Sequence, residues 1–338
     1  MNLSFSFIIP VFNRPNEIEE LLESLLLQTY SKRFEVVIVE DGSTIPAKEV
    51  VNRFTDQLNI SYYQKPNSGP GDSRNYGMKL AKGNYFVVLD SDCIVPPQYL
   101  EQAENSLSKE FVHCYGGPDA AHSSFTNVQK AINYAMTSFL TTGGIRGKRN
   151  SVNKFQPRSF NMGISKEAFE RTGGYGNIHP GEDPDLTIRI WEKGYDTKLI
   201  PEAFVYHKRR IDWNKFYIQV KKFGPVRPIL NTWHPKTAKL TYWFPSIFVT
   251  AFMVSIALAF LGVIAPLICF FLYFLVLLLD ALYKTKKINV AFMSVFATLV
   301  QFLGYGFGFL KSTIYTTFSS KTREELFPKL FFKTKDKS

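Results

Sequence analysis

Two carboxylates one residue apart close an apolar run in GNYFVVLDSDCIVPP, residues 83–97. Tyr85 to Leu89 carry no charge, and Asp90 and Asp92 follow at once. Like charges this close repel and raise each other's pKa unless something positive lies between them. A hard divalent cation, Mg²⁺ or Mn²⁺, would remove the repulsion. Such an ion takes few protein carboxylates and fills its shell with phosphate oxygens and water. Turn formation, which aspartate favours, is the competing explanation. A second acidic group, Glu182, Asp183 and Asp185, stands in HPGEDPDLTIRIWEKGY (179–195), just ahead of an expected helix. Acids there suit the helix dipole, and they equally suit a general base that deprotonates a hydroxyl. His207 ends an apolar stretch in PEAFVYHKRR (201–210) and becomes a metal-ligand candidate in the company of Asp90 and Asp92. Arg74 and Lys79 follow a Gly-Pro-Gly turn, where a helix N-terminus beside an arginine suits a diphosphate. Asp41, in VVIVEDGS, can accept a hydrogen bond from the N–H of a pyrimidine base.

These residues need elements to hold them. Strands are expected at 5–12, 33–43, 60–64 and 84–89, alternating with helices at 16–28, 47–57 and 71–81. That alternation argues for a mostly parallel α/β sheet. Ligands of such sheets sit beyond the carboxyl ends of the strands, where Asn13/Arg14, Glu40/Asp41 and Asp90/Asp92 all fall. After residue 110 the order loosens. Residues 113–122 and 141–155 read as loops, the second with Arg146, Lys148, Arg149 and Lys154 among glycines. Helices are expected at 165–171 and 185–193, and a strand at 203–206. An amphipathic helix at 212–224 offers Trp213, Phe216, Tyr217, Val220 and Phe223 to one side, as a helix lying on a bilayer surface would.

The chain has 338 residues, which suits about two domains, and a net charge of +11. The balance suits anionic partners: nucleotide phosphates and acidic lipids, with no nucleic-acid motif in view. Three scattered cysteines, Cys93, Cys114 and Cys269, give neither a disulfide framework nor a zinc site. Residues 242–262 carry no charge, 263–283 carry Asp280 alone, and 288–310 carry none. Each stretch is near the roughly 20 residues that cross a bilayer. The N-terminus lacks a basic signal-peptide start, so residues 1–240 are expected in the cytoplasm. Lys284, Lys286 and Lys287 fit a cytosolic loop. A third crossing would put the basic residues after 310 outside, against the positive-inside rule. Gly304, Gly306 and Gly308 could break that stretch into a re-entrant piece, so two and three crossings both stay open.

Taken in order, FIIPVFNR, LLLQTY, VVIVEDGS, SRNYGMKLAKGNYFVVLDSD, FNMGISKEAFERTGGY and GEDPDLTIRIWEKGY resemble the family 2 glycosyltransferases, from residue 5 to about 210. The resemblance implies a GT-A fold: a Rossmann-like, mostly parallel sheet with flanking helices, here followed by a transmembrane helical region. It implies metal-dependent transfer of a sugar, with inversion, from a nucleotide-sugar, UDP being the commonest donor type. Carried over residue by residue, Pro10, Phe12 and Arg14 line the nucleotide pocket and Asp41 meets the base. Arg74 and Ser91 lie near the nucleotide. Asp90 faces ribose or metal, Asp92 holds the Mg²⁺ or Mn²⁺, and His207 is a further ligand. Asp183 is the base, Glu182 stands beside it, and Asn161 shapes the acceptor side. The implied partners are a nucleotide-sugar donor, a lipid-linked or cell-envelope glycan acceptor and membrane lipids.

The expected organisation is a cytosolic catalytic domain at 1–240, a membrane region at 241–312 and a basic tail at 313–338, in a multi-pass protein of the cell membrane. Processive synthases of this family carry QxxRW beside the membrane. Here QVKKF (219–223) puts Lys222 and Phe223 in place of the arginine and tryptophan. Single addition is therefore the expectation. Processive synthesis and a catalytically silent nucleotide-sugar-binding scaffold are the alternatives.

Overall fold

The computed structural model describes residues 2–120, 125–143, 155–207 and 212–332. The chain divides into two compact units. The first comprises Met1–His122, Arg149–Lys208 and Phe331–Ser338; the second comprises Ser123–Lys148 and Arg209–Leu330.

Among the described residues, the first unit holds ten strands: β1 (Phe5–Val11), β2 (Glu35–Asp41), β3 (Ile60–Lys65), β4 (Tyr85–Leu89), β5 (Cys93–Ile94), β6 (Cys114–Gly116), β7 (Asp119–Ala120), β8 (Asn161–Ser165), β9 (Thr197–Leu199) and β10 (Val205–His207). Seven form one sheet in the order β3-β2-β1-β4-β8-β6-β9. The strands β1 to β4 run parallel, β8 is antiparallel to β4 and β6, and β6 is parallel to β9. A small second sheet, β5-β10-β7, pairs His207 with Cys93.

The apolar runs in β1, β2 and β4 are continuous because helices cover both faces of the sheet. Phe5, Phe7, Ile9, Val36, Ile38, Tyr85, Val87 and Leu89 face one core with Ile18, Leu21 and Leu22 of the helix Pro15–Leu26. Ile8, Val37, Val39, Phe86 and Val88 face the other with Met78, Leu186 and Ile190. The helix Pro70–Leu80 fits closely here: a Cβ on Gly77 would stand 2.9 Å from Ile8.

Several boundaries moved. The stretch 113–122, expected as loop, contributes β6 and β7. The helix expected at 185–193 begins at Glu182, so the acids sit in its first turn rather than ahead of it. The helix expected at 47–57 is helical over Lys48–Asn52. Much of the basic stretch 141–155 lies outside the described residues.

Among the described residues, the second unit carries three helices long and apolar enough to cross a membrane: Leu240–Phe260, Ala265–Thr285 and Ile288–Phe318. The last is one continuous helix of 31 residues, about 46 Å long at 1.5 Å per residue. Its glycines do not break it; they let neighbours approach. A Cβ on Gly304 would stand 2.7 Å from Val220, one on Gly308 2.9 Å from Pro225, and one on Gly306 2.8 Å from the Pro245 carbonyl. Small residues in such positions let helix backbones pack closely.

The amphipathic segment at 212–224 is part of a longer helix, Trp213–Trp233, which includes Pro225 and Pro228. Phe216 and Val220 are buried with Trp213 and Phe223 against them, whereas Tyr217 is exposed. The division of the chain does not fall at 240. Helix Asn127–Thr137 joins the second unit because Ile132, Ala135 and Met136 pack with Phe216, Val220 and Ala297. Nor does a tail start at 313, since the third long helix runs on to Phe318.

Candidate active site

The polar ends of β1, β2, β3 and β4 gather at one edge of the sheet, as the parallel register requires. Beyond β1 the chain turns at Asn13, with φ of +54°. The Asn13 side chain accepts from the Thr44 and Ile45 amides at 2.8 and 2.9 Å, which ties this loop to the one after β2. Arg14 follows and caps no helix with its side chain. Its Nη1 instead donates to Asp92 Oδ2 at 2.5 Å. Burial opposes the Arg14 charge, but Asp92 overcomes this and raises the arginine's pKa. Pro10 is half-buried in β1 opposite Val39, and Phe12 beyond it is exposed.

Arg74 is the central cation. It is 3% exposed, and it donates to Asp90 Oδ1 at 2.7 Å and to Glu182 Oε1 at 3.0 Å. One guanidinium therefore joins the end of β4 to the start of the helix Glu182–Glu192. Burial works against its charge, and Asp90 and Glu182 together raise its pKa above the ordinary arginine value. Its Cζ lies 5.3 Å from the Tyr175 ring centroid.

Asp92 is held differently. Beyond Arg14, its neighbour is His207, whose Nε2 lies 3.3 Å from Asp92 Oδ1 and 3.9 Å from Asp90 Oδ2. The His207 ring stacks on Phe160 at 4.8 Å. Burial would push the Asp92 carboxyl up, but His207 and Arg14 hold it below the usual carboxylate range. Among the described residues, no hydrogen bond reaches the buried Asp92 Oδ1. Asp92, Cys93 and His207 each offer a ligand atom, all within 4.8 Å of one another. The Cys93 thiol is pushed well up by burial, with Asp92 and Asp90 adding to it, and its soft sulfur suits a hard Mg²⁺ or Mn²⁺ less than the carboxylate oxygens do. A carboxylate oxygen without a donor beside an imidazole nitrogen fits a hard divalent cation.

Three acids open the helix Glu182–Glu192, and their surroundings separate them. Glu182 is 3% exposed; besides Arg74 it meets His179 Nδ1 at 3.2 Å. Burial would raise its pKa, but the His179 hydrogen bond and the charges of His179 and Arg74 lower it to about 2. Asp185 takes two bonds from Arg189, at 3.0 and 2.7 Å, and Arg189 also caps the Thr172 and Gly174 carbonyls. Asp183 meets Arg158 at 3.5 Å.

Two expected residues are placed otherwise. Asp41 is buried, and Lys65 Nζ (2.7 Å), Asn67 Nδ2 (3.3 Å) and the amides of Ser68 and Gly69 (2.9 Å each) all donate to its carboxylate. It orders the loop before the helix Pro70–Leu80, and a base edge would have to displace one of these donors. Asn161 is fully buried in β8, opposite Leu89. Tyr99 donates to its Oδ1 and its Nδ2 donates to the Ala203 carbonyl, so the side chain braces the core instead of facing an acceptor. Ser91 is buried between the two aspartates. Sequence reasoning missed Lys65 and His179. Lys65 had a signal, a lysine at the tip of β3, and His179 had another, three residues before Glu182. An open cleft of about 370 Å³ lies at the ends of β2 and β3, lined by Glu40, Gly42, Ser43, Gln64, Lys65 and Pro66.

Comparison with known proteins adds to this geometry. Residues 6–173 match the family model described as glycosyl transferase family 2. An uncharacterized glycosyltransferase of Rickettsia felis is 46% identical over 87 residues, 26% of this chain and 14% of that protein. Glycosyltransferase AglE of Haloferax volcanii is 28% identical over 221 residues, 61% of this chain and 67% of that protein. The matched segment spans between 12% and 32% of the length of the rickettsial relatives. Among solved structures, the mannosyltransferase PcManGT of Pyrobaculum calidifontis, in complex with GDP-Man and Mn²⁺, matches with a TM-score of 0.59. It is 16% identical and covers 90% of this chain and 88% of its own, a likeness of fold.

Proposed function

Because the chain carries a glycosyl transferase family 2 domain over residues 6–173, we propose that it transfers a sugar, with inversion, from a nucleotide-sugar to a hydroxyl of a lipid-linked or cell-envelope glycan. Asp183 is the general base. Its carboxylate takes the proton as the acceptor oxygen bonds to the anomeric carbon. The bond from that carbon to the diphosphate breaks on the opposite face, and the nucleoside diphosphate leaves. The single observation that carries this reading is the place of Asp183 in the first turn of the helix Glu182–Glu192, between Glu182 and Asp185, which Arg74 and Arg189 hold, and with Arg158 at 3.5 Å.

Asp92 and His207, with Asp90 beside them, are the residues that would hold a divalent cation. Such an ion, when bound, offsets the negative charge that develops on the leaving diphosphate. The orphaned Asp92 Oδ1 supports this placement. The cleft at the ends of β2 and β3, together with Pro10, Phe12 and Arg14, takes the nucleoside. A uridine nucleotide is the first donor to try, and the GDP-Man bound by the structural neighbour makes guanosine the second. The apolar helices Leu240–Phe260 and Ala265–Thr285, with lysines 284, 286 and 287 after them, support a membrane protein that crosses twice with its catalytic unit facing the cytoplasm, which keeps Phe331 and Phe332 on the same side as Gly69 and Ile178, which they contact.

The test is a donor screen on the full chain in detergent with Mn²⁺, using UDP-, GDP- and dTDP-sugars, followed by NMR of the product's anomeric centre. Inversion with one donor class is expected. A retained configuration would overturn the mechanism, and no turnover of any donor would favour a nucleotide-sugar-binding scaffold.

A further inference from the structure

Among the described residues, Phe331 and Phe332 join the first unit from far along the sequence. Phe331 forms an antiparallel bridge with Ile178, and the Phe332 amide donates to the Asn177 carbonyl at 3.2 Å. The Phe332 ring lies over Gly69: a Cβ at that position would stand 2.3 Å from Phe332 Cδ2. The ring centroid is also 6.0 Å from that of His179.

These contacts fall on the two loops that frame the site. Gly69, at φ of +96°, ends the loop that Asp41 orders, and its own amide donates to Asp41. Five residues on, Arg74 reaches Asp90 and Glu182. Residues 177–179 belong to the other loop, where His179 bonds Glu182. A closed circuit results: Phe332 to Gly69, along the helix to Arg74, across to Glu182 and His179, and back to Phe332. Inside it, Asn75 of the helix Pro70–Leu80 ties that helix to the segment before Glu182 through the Tyr175 backbone, donating to its carbonyl and accepting from its amide at 2.8 Å each. Phe332 closes the open end of the circuit. Its half-buried ring sits where any side chain at residue 69 would clash.

We propose that Phe331 and Phe332 form a strap that holds the loop before Pro70 against the loop before Glu182, with Phe332 as a positioning residue for donor binding. The kinetic consequence rests on the transferase reading; the strap itself does not. Without the ring, the loops sample conformations that do not bind donor, and the apparent affinity falls by the fraction that remains competent.

The experiment compares the full chain with Phe332→Ala and Phe332→Leu by hydrogen exchange at residues 67–71 and 176–182, and by donor kinetics. Phe332→Ala should speed exchange in both loops and raise the donor KM about tenfold with kcat nearly unchanged. Phe332→Leu should restore most of both. A loss of folded protein would lower kcat and leave KM alone, so the split separates positioning from mere stability. Exchange that rises at 176–178 alone, or in neither loop, would overturn the strap. A lower KM in Phe332→Ala would overturn it too, by making the segment an obstruction. If the wild type turns over no donor, the transferase reading fails, and the exchange measurement still decides the strap.

Discussion

At the end of β4, Asp90 and Asp92 sit on a turn and draw partners from elsewhere in the unit: Arg14, Arg74 and His207. At the start of the helix Glu182–Glu192, the acids are served by His179 and Arg189 nearby, and by Arg74 and Arg158 from afar. Among the described residues, the strand-end pair keeps one buried oxygen without a hydrogen bond, Asp92 Oδ1, with His207 Nε2 3.3 Å away. The helix-start group fixes Glu182 and Asp185 in place beside Asp183. On the proposed reading, the same residue type serves two tasks. An oxygen lacking a donor suits a cation, and a carboxylate between fixed neighbours suits proton transfer. Arg74 belongs to both regions and couples them.

That contrast can be broken at its chemical end first. Asp183→Asn should lower turnover by about 10²- to 10⁴-fold, the usual worth of a general base. Steady-state assays with the donor identified by screening would read this; a loss below tenfold would move the base elsewhere.

Arg74→Met should have the next largest effect, on stability. It leaves the buried Glu182, and the partly exposed Asp90, without their shared cation, a loss of about 3–5 kcal/mol by the usual cost of breaking a buried pair, carried mainly by Glu182. Apparent melting temperature would measure it. Adding Glu182→Gln to Arg74→Met should recover part of the loss, because one uncompensated charge is removed.

The smallest effect concerns pH and sharpens the helix-start side. Glu182 has a folded pKa of about 2 against an ordinary value of 4.5. Its contribution to stability is therefore complete above about pH 4.5 and is lost as the pH falls toward 2. Melting curves of wild type and Glu182→Gln should converge over that window and stay furthest apart above it. A gap that widens on acidification would reverse the sign.

Much of this architecture was legible. The uninterrupted apolar runs of β1, β2 and β4 announced a sheet covered on both faces, and the polar strand tips announced where the site lies. The acids at 90, 92 and 182–185 were legible as types. The way each is held was not, because it depends on Arg74 reaching Glu182 across 108 residues of sequence. Asp41 looked available for a base because its donors, Lys65 and the 68–69 amides, arrive from a different loop. Asn161 looked like a site residue because a polar side chain in a strand gives no sign of whether Tyr99 and Ala203 already satisfy it. Gly304, Gly306 and Gly308 looked like helix breakers. Their neighbours, Val220, Pro245 and Pro225, show why glycine belongs within a continuous helix there.

The separation of roles between Asp92 and Asp183 is tested most directly by calorimetric titration of UDP or GDP, with and without Mn²⁺, into wild type, Asp92→Asn and Asp183→Asn. Asp183→Asn should bind the nucleotide as tightly as wild type and keep its dependence on Mn²⁺, while Asp92→Asn should lose that dependence. Unchanged Mn²⁺-dependent binding in Asp92→Asn, or its loss in Asp183→Asn, would contradict the assignment of the cation to the strand end and the base to the helix start.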